Sequence, residues 1–171
     1  MKYLEQYKQI HKRKVYGTSG ERLVSDLSEL IPADADSILD YGAGQSQTGF
    51  MLRKTTGIRD VIAYDPAVEG RDVKPERNFD VVVCTDVLEH VPEEELNEVL
   101  TDIWGYADMR AIFVIAFGPA GEILPNGENA HCTVHDKDWW AAKLKTVWKN
   151  VEVRPSPNHN SYWGWFVCDS E

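Results

Sequence analysis

Two hydrophobic patterns alternate along this chain. Short, nearly unbroken apolar runs predict buried strands, whereas apolar residues spaced three and four apart predict helices with one core-facing side. The runs that predict strands cover residues 38–41, 61–64, 79–85, 111–117, 151–153 and 162–168. The stretches that predict helices cover residues 3–14, 20–31, 45–54 and 92–104, followed by a helix that begins at Asp136 or Asp138. Strands that alternate with helices in this way predict an α/β fold.

Two connections are too short for the helix that normally joins parallel strands. Fourteen residues lie between Asp65 and Asp80, and a parallel crossover needs about a dozen for its connection alone. We therefore expect no helix there and only a stub of a third strand near Arg71-Asp72-Val73. Residues 155–161 are also too few, so the last two strands should form an antiparallel hairpin. The expected fold is a Rossmann-like sheet, mostly parallel, with a reversed last strand and a shortened region after the second strand.

The stretch Asp40-Tyr41-Gly42-Ala43-Gly44 joins the first strand to a helix. Its two glycines allow a tight turn and a close approach of the backbone to a ligand. A dinucleotide site requires a third glycine, and this chain has Gln47 in that place. The carboxylate of Asp40 would repel a pyrophosphate but attract a cation, such as the ammonium and sulfonium groups of S-adenosylmethionine (SAM). The turn therefore indicates a nucleotide-like ligand that carries positive charge.

Three segments, each at the end of a predicted strand, carry a resemblance to a known family. They are Asp40-x-Gly42-x-Gly44, then Tyr64-Asp65-Pro66, then Thr85-Asp86-Val87-Leu88-Glu89-His90. In this order they resemble the class I SAM-dependent methyltransferases, whose first motif has the pattern D-x-G-x-G. A later stretch, Leu124-Pro125-x-Gly127-x-Asn129-Ala130-His131, is similar to one found in small, mostly phage-encoded methyltransferase-like proteins.

The resemblance implies a methyltransferase sheet and SAM as the cofactor. It assigns the methionine part of SAM to Asp40, Gly42 and Gly44. It assigns the ribose to Asp65, because a carboxylate can accept hydrogen bonds from both hydroxyls; the alternative is an aspartate that forms the turn before Pro66. The full set of cofactor-binding residues that it implies is Asp40, Gly42, Ala43, Gly44, Asp65, Pro66, Thr85 and Asp86. The shortened region predicts that the usual acidic contact to adenine is missing.

His90 and His131 are the candidate general bases. Histidine titrates near neutral pH, and both residues follow strands at the edge where open α/β sheets bind ligands. His90 could instead orient a neighbour or cap a helix, and His131 could instead close its own loop together with Asn129. The predicted substrate pocket consists of Glu89, Asn129 and Tyr16.

The segment before the first strand often folds over bound SAM in methyltransferases of this kind. Its candidate contacts here are Tyr7, His11, Tyr16 and Ser19. The alternative for each is ordinary packing of an aromatic side chain or capping of a helix. Tyr162 and Trp163 are candidates for the wall of the acceptor pocket, with packing in the sheet as the alternative.

A metal site is not predicted. His131, Cys132 and His135 have a spacing that could place two imidazoles near each other. A structural zinc site, however, needs a closed set of four ligands, and no second pair of ligands accompanies them. The three cysteines of the chain show no metal-ligand spacing and indicate reduced thiols of a cytosolic protein.

Length and charge narrow the class of protein. The 171 residues predict a single domain, with an N-terminal helical cap over residues 1–35 and a Rossmann-like core over residues 36–171. The formal net charge of −10 opposes a polyanion, so duplex nucleic acid is not the expected partner. The sequence carries no signal-peptide pattern and no apolar run of membrane-spanning length, which favours a cytoplasmic protein without a membrane partner.

The sequence therefore predicts a SAM-dependent methyltransferase that acts on a small molecule, such as a metabolite, a nucleotide or a sugar. One alternative is a non-catalytic SAM-binding module or a subunit of a larger methyltransferase complex, which the shortened region makes credible. A second alternative is an oxidoreductase that uses a dinucleotide. Asp40 and Gln47 argue against that second alternative.

Overall fold

The structure, a computed structural model, describes residues 2–157 and 160–170. Its strands are β1 (Ser37–Tyr41), β2 (Asp60–Tyr64), β3 (Phe79–Thr85), β4 (Ala107–Ala116), β5 (Asn150–Arg154) and β6 (Trp163–Asp169). Its α-helices are α1 (Leu4–Arg13), α2 (Val24–Leu30), α3 (Thr48–Thr56), α4 (Leu96–Tyr106) and α5 (Lys137–Leu144). Single 3₁₀ turns cover Ser19–Leu23, Leu88–His90 and Glu93–Glu95.

The described strands form one six-stranded sheet in the order β2-β1-β3-β4-β6-β5. β1 pairs in parallel with β2 and β3, and β3 pairs in parallel with β4. β6 runs antiparallel to both β4 and β5. The mostly parallel sheet with a reversed last strand and the terminal hairpin are therefore confirmed. The carboxyl ends of β1, β2, β3 and β4 meet at one edge, where ligands bind in open α/β sheets.

Residues 65–78 connect β2 to β3 without a helix, as their number predicts. The predicted stub of a strand near residues 71–73 is wrong. Backbone hydrogen bonds from Val68 N to Asp65 O and from Arg71 N to Val68 O instead wind this stretch into successive turns. Val73 is 82% exposed, so a strand at this position would bury no side chain to stabilise it.

The core lies on both faces of the sheet, and β3 contributes to each. Val81 and Val83 of β3 pack in one cluster with Leu27 of α2 and Leu52 of α3. Val82 and Cys84 point to the other face, in a cluster with Leu100 of α4 and Trp140 of α5. Because both faces are covered, β3 consists almost wholly of apolar residues. This central strand ends at Thr85, directly before the segment that holds the candidate base His90.

Two helix starts differ from the predicted ones because side chains find other partners. The helix predicted from residue 20 begins as a 3₁₀ turn, and the Ser19 hydroxyl donates to Asp86 Oδ2 at 2.7 Å instead of capping it. The helix predicted from residue 45 begins at Thr48. Asp136 caps α5 as expected, since its carboxylate accepts from Trp139 N at 2.9 Å. In the part of the chain that the structure describes, no helix is both long and apolar enough to cross a membrane.

Candidate active site

The glycine turn after β1 is held against the end of β2. Gly42 N and Ala43 N both donate to Tyr64 O, at 2.8 Å and 3.0 Å. Gly42 and Gly44 have φ values of 74° and 52°, a left-handed conformation that glycine adopts without a steric penalty. A Cβ atom on Gly42 would lie 2.5 Å from a methyl group of Val87. The turn therefore requires glycine both for its backbone angles and for the closeness of its neighbours.

Two charged side chains hold the backbone of the glycine turn in place. Gly44 N donates to Asp65 Oδ2 at 2.8 Å, and Asp65 Oδ1 accepts from Ala67 N at 2.8 Å. The guanidinium of Arg71 donates to Gly44 O at 2.9 Å and to Ser46 O at 3.0 Å. Hydrogen bonds to charged groups are the stronger ones in proteins. Asp65 and Arg71 thus set the position of the backbone that a ligand would approach.

One cavity at this edge of the sheet, here called the main cleft, lies between the glycine turn and helix α1. Its empty volume is about 800 Å³, which includes space open to solvent. The described residues that line it are Tyr3, Leu4, Tyr7, His11, Tyr16, Gly17, Tyr41, Gly42, Gly44, Asp65, Pro66, Ala67, Asp86, Val87, His90, Val91, Pro92 and Val99. Most of this lining is apolar, and the carboxylates of Asp65 and Asp86 are its acidic groups.

The segment before the 3₁₀ turn at Ser19 lies directly on the glycine turn. Tyr16 O accepts from Gln45 N at 3.1 Å, and Tyr16 N donates to the side-chain oxygen of Gln45 at 3.1 Å. The amide nitrogen of Gln45 also donates to His11 O at 3.2 Å. Gly17 packs so closely that a Cβ on it would lie 3.1 Å from Gly44 Cα. Residues 3–17 therefore form a lid over the main cleft, attached through Gln45.

A second cavity, here called the side cavity, adjoins the main cleft. It has an empty volume of about 660 Å³, partly open to solvent. Its described lining residues are Lys14, Val15, Tyr16, Asp86, Ala120, Gly121, Glu122, His131, Tyr162 and Trp163. Tyr16 and Asp86 line both cavities. These two side chains therefore lie between the two cavities and form part of the wall of each.

Asp86 has the strained backbone of this site. Its φ of 60° makes it the one non-glycine residue with positive φ among those that the structure describes. Asp86 N donates to Val114 O at 2.8 Å, and Oδ2 accepts the Ser19 hydroxyl. Oδ1 is buried without a hydrogen-bond partner and lies 3.8 Å from His131 Nε2. Strained residues of this kind cluster at functional sites, where the surroundings hold them in place.

His90 and His131 face each other across 4.6 Å between ring centroids, edge to face. His90 Nδ1 lies 3.0 Å from Ala130 O and 2.9 Å from the Tyr7 hydroxyl. His131 Nδ1 lies 2.6 Å from Gly118 O. Because a carbonyl oxygen only accepts, each Nδ1 carries a proton and donates it to that oxygen. Burial, reinforced by His131 and opposed by Asp86, lowers the pKa of His90 to about 4, so His90 is neutral at neutral pH.

No protein-family model matches the chain, and no curated protein matches its sequence. Solved structures do match its fold. An O-methyltransferase family protein from Burkholderia thailandensis superposes with a TM-score of 0.64 at 13% identity, over 87% of this chain and 55% of that one. DhpI in complex with S-adenosylhomocysteine (SAH) superposes with a TM-score of 0.63 at 12% identity, over 96% of this chain and 95% of that one.

A third structure is a 1,6-didemethyltoxoflavin N1-methyltransferase from the same bacterium with SAH and 1,6-didemethyltoxoflavin bound. It superposes with a TM-score of 0.61 at 17% identity, over 88% of this chain and 78% of that one. The chain thus spans about half the length of one of these neighbours and most of the other two. This chain has the fold of the class I SAM-dependent methyltransferases.

The predicted cofactor residues separate into two groups within this methyltransferase fold. Those that line the main cleft are Gly42, Gly44, Asp65, Pro66 and Asp86. Those that are absent from its described lining are Asp40, Ala43 and Thr85, which are at most 9% exposed. Asp40 Oδ2 lies against the first turn of α3, where a Cβ on Gly49 would be 3.6 Å away. The carboxylate of Asp40 is therefore packed behind the turn, and its contact with SAM stays a prediction.

The predicted pocket residues also separate. Tyr16 lines both cavities, whereas Glu89 and Asn129 line neither. Glu89 is fully buried and its carboxylate accepts from Ala116 N. The amide of Asn129 bonds Ala120 N and Ala120 O, each at 2.9 Å, and accepts from His131 N. Asn129 therefore closes its own loop, the alternative that the sequence had left open, and it positions His131.

Three residues contribute to the site in ways that the sequence does not predict. Arg71 was assigned only to the strand stub, Gln45 only to a helix, and Tyr7 only to the lid. Each acts through a partner that is at least 27 residues away in the chain: Arg71 on Gly44, Gln45 on Tyr16 and Tyr7 on His90. No motif or periodicity in one sequence reports such long-range hydrogen bonds.

Proposed function

We propose that this protein is a methyltransferase that binds SAM in the main cleft and transfers its methyl group to a small molecule in the side cavity. One observation carries the proposal: Asp86 and Tyr16 line both the cavity bounded by the glycine turn and the cavity bounded by His131. Methyl transfer requires an electrophile and an acceptor that are held in line at a short distance. Two cavities that share two lining side chains would hold the cofactor and the acceptor next to each other.

The main cleft offers a group for each part of the cofactor. Gly42 and Gly44 line the cleft beside the space for the methionine part, and Asp65, which also lines it, would accept hydrogen bonds from the ribose hydroxyls. The adenine ring would lie against Pro66 and Ala67, because the shortened connection after β2 carries no further element to hold it. The neighbours with bound SAH, DhpI and the toxoflavin enzyme, support the choice of SAM.

The chemistry needs little from the protein beyond positioning and a base. An acceptor atom attacks the methyl carbon, the carbon–sulfur bond breaks, and the sulfonium becomes the neutral thioether of SAH. A proton then leaves the acceptor, if it carries one, to a nearby neutral imidazole. His90 and His131 are the two imidazoles at the boundary of the cavities, and the lowered pKa of His90 keeps it unprotonated.

The acceptor is a small molecule in this proposal. The net charge of −10 opposes a polyanionic acceptor. The toxoflavin enzyme, whose substrate is a small heterocycle, provides a precedent in the same fold. A metabolite, a nucleotide or a sugar fits these limits equally.

The test is transfer of label from SAM that carries a tritiated methyl group. The protein is incubated with labelled SAM and pools of metabolites, nucleotides and sugars, with RNA and with protein extract, and each reaction is then separated by size. We expect label in the low-molecular-weight fraction and SAH as the second product. Label in the macromolecular fraction alone would contradict the small-molecule acceptor. Firm SAM binding without transfer to any pool would favour the non-catalytic module instead.

A further inference from the structure

We propose that Asp86, His90 and His131 form a binding site for a divalent transition-metal ion. One ligand atom from each of the three residues lies within 4.8 Å of the other two. A metal with ligand bonds of about 2 Å holds its ligand atoms somewhat closer than this, so a small inward movement of the side chains completes the site. The sequence predicts no metal site. The three residues that the structure brings together also differ from His131, Cys132 and His135, whose spacing in the sequence suggested a possible site.

Each of the two imidazoles has a hydrogen-bond partner of the kind that metal-binding histidines use. Ala130 O accepts from Nδ1 of His90, and Gly118 O accepts from Nδ1 of His131. Metal-binding histidines almost always donate their second ring N–H to such a partner, which fixes the tautomer and directs the other nitrogen at the ion. The Tyr7 hydroxyl, 2.9 Å from His90 Nδ1, supports the same ring from the lid. The supporting shell is therefore present in the fold.

The cluster also contains acceptors without donors. Asp86 Oδ1 is buried, has no hydrogen-bond partner and faces His131 Nε2 at 3.8 Å. Glu89, which is 0% exposed, has a second such oxygen, Oε2, and its carboxylate interacts with that of Asp86. Buried polar atoms without a partner are costly. A cation bound between the two imidazoles and Asp86 would remove that cost for Asp86.

The donor set indicates the kind of ion. Two imidazole nitrogens with carboxylate oxygens suit zinc, iron, cobalt or manganese, whereas magnesium and calcium prefer oxygen alone. In the sequence, the spacing of His131, Cys132 and His135 suggested a different set of metal ligands. Cys132 is not in the cluster, and His135 instead stacks on Trp139 at 3.8 Å and bonds Glu93. A first-row transition-metal ion is the ligand that these residues fit.

The position of the ion would give it access to both cavities. Asp86 and His90 line the main cleft, and Asp86 and His131 line the side cavity. Three protein ligands leave coordination positions open, and an open position can take an oxygen of a substrate and lower the pKa of its hydroxyl. With the ion bound, the free nitrogens of both imidazoles serve as ligands, so the ion rather than an imidazole would assist loss of the proton from the acceptor. This last step rests on the proposed function, whereas binding of the ion does not.

The test is titration of the metal-free, full-length protein with Co²⁺ in the absence of SAM, followed by visible absorption. We expect the d–d bands of a cobalt site with nitrogen and oxygen ligands, which saturate at about one ion per chain. His131→Gln and Asp86→Asn should each weaken binding about tenfold or more. His135→Gln, which changes a histidine outside the cluster, should leave the titration unchanged.

Circular dichroism of every variant separates loss of a ligand from loss of the fold. Absence of a cobalt spectrum in the folded wild-type protein would overturn the proposal without the need for any variant. Equal weakening by His135→Gln and His131→Gln would also overturn it, because binding would then not depend on the cluster. Since SAM is absent from these titrations, a failure here leaves the methyltransferase proposal standing. A failure of SAM binding likewise leaves the metal result valid.

Discussion

Replacing Gly44 by alanine should weaken SAM binding by about 100-fold or more. The new Cβ would lie 2.7 Å from Gly17 O, 2.9 Å from Gly17 Cα and 3.1 Å from Tyr16 O. These are backbone atoms, which cannot move aside as a flexible side chain can. Either the lid lifts from the glycine turn or the turn itself is displaced, and both changes alter the main cleft. The positive φ of Gly44 adds strain to any side chain at this position.

Gly57→Ala is the matched control for this substitution. Gly57 also has a positive φ, of 80°, but a Cβ on it would meet nothing within 4 Å. It ends helix α3, away from both cavities. Both variants therefore carry similar backbone strain, and only Gly44→Ala disturbs the lid. Calorimetric titration with SAM measures the difference, and equal SAM affinity of the two variants would contradict the close packing of the lid on the turn.

The free energy of unfolding of the wild-type protein should fall as the pH rises towards 8, and replacing Asp40 by asparagine should abolish the part of that fall that is due to Asp40. Burial raises the pKa of Asp40 from its ordinary value of 3.8 to about 7, against the opposing influence of Arg71 and the backbone N–H of Gly49; nearby Asp65 raises it further. The folded state therefore holds this proton more tightly than the unfolded chain does. The associated stability is complete below the unfolded pKa and is lost as the pH rises through the folded pKa.

The change is measurable as a difference between two proteins. Between about pH 5 and pH 8, the free energy of unfolding of the wild type should fall by roughly 2 to 3 kcal/mol relative to that of Asp40→Asn. Urea titrations at both pH values measure it, and other titrating groups cancel in the comparison. Asp34→Asn, at an exposed position, should follow the wild type. A parallel pH dependence of Asp40→Asn and wild type would show that Asp40 is ionised in the fold at neutral pH.

Local patterns in the sequence were sufficient for the fold. The apolar run of β3 follows from burial on both faces, and the length of residues 65–78 excludes a helix by simple geometry. The hairpin of β5 and β6 follows in the same way from its connector. The predicted strand stub failed because its three residues, of which only Val73 is apolar, cannot show whether Val73 has a neighbour to pack against.

The site was less accessible to sequence reasoning. Residues at strand ends, such as Gly44, Asp65 and His90, were found because parallel strands bring their carboxyl ends to one edge. The sequence did not predict the orientation of these side chains. Asp40 fits the motif, for example, but its carboxylate packs against α3. The pairing of His90 with His131 depends on a loop closed by Asn129, and no pattern predicts where such a loop returns.

The most direct test of the central claim is calorimetric titration of the full-length protein with SAM, with SAH and with NAD. The geometry of the main cleft predicts that SAM and SAH each bind at one site per chain and that NAD does not bind. Binding of NAD in place of SAM would contradict the assignment of the cleft and favour a dinucleotide enzyme. Absence of binding by all three would mean that the fold of a methyltransferase is present without its cofactor site.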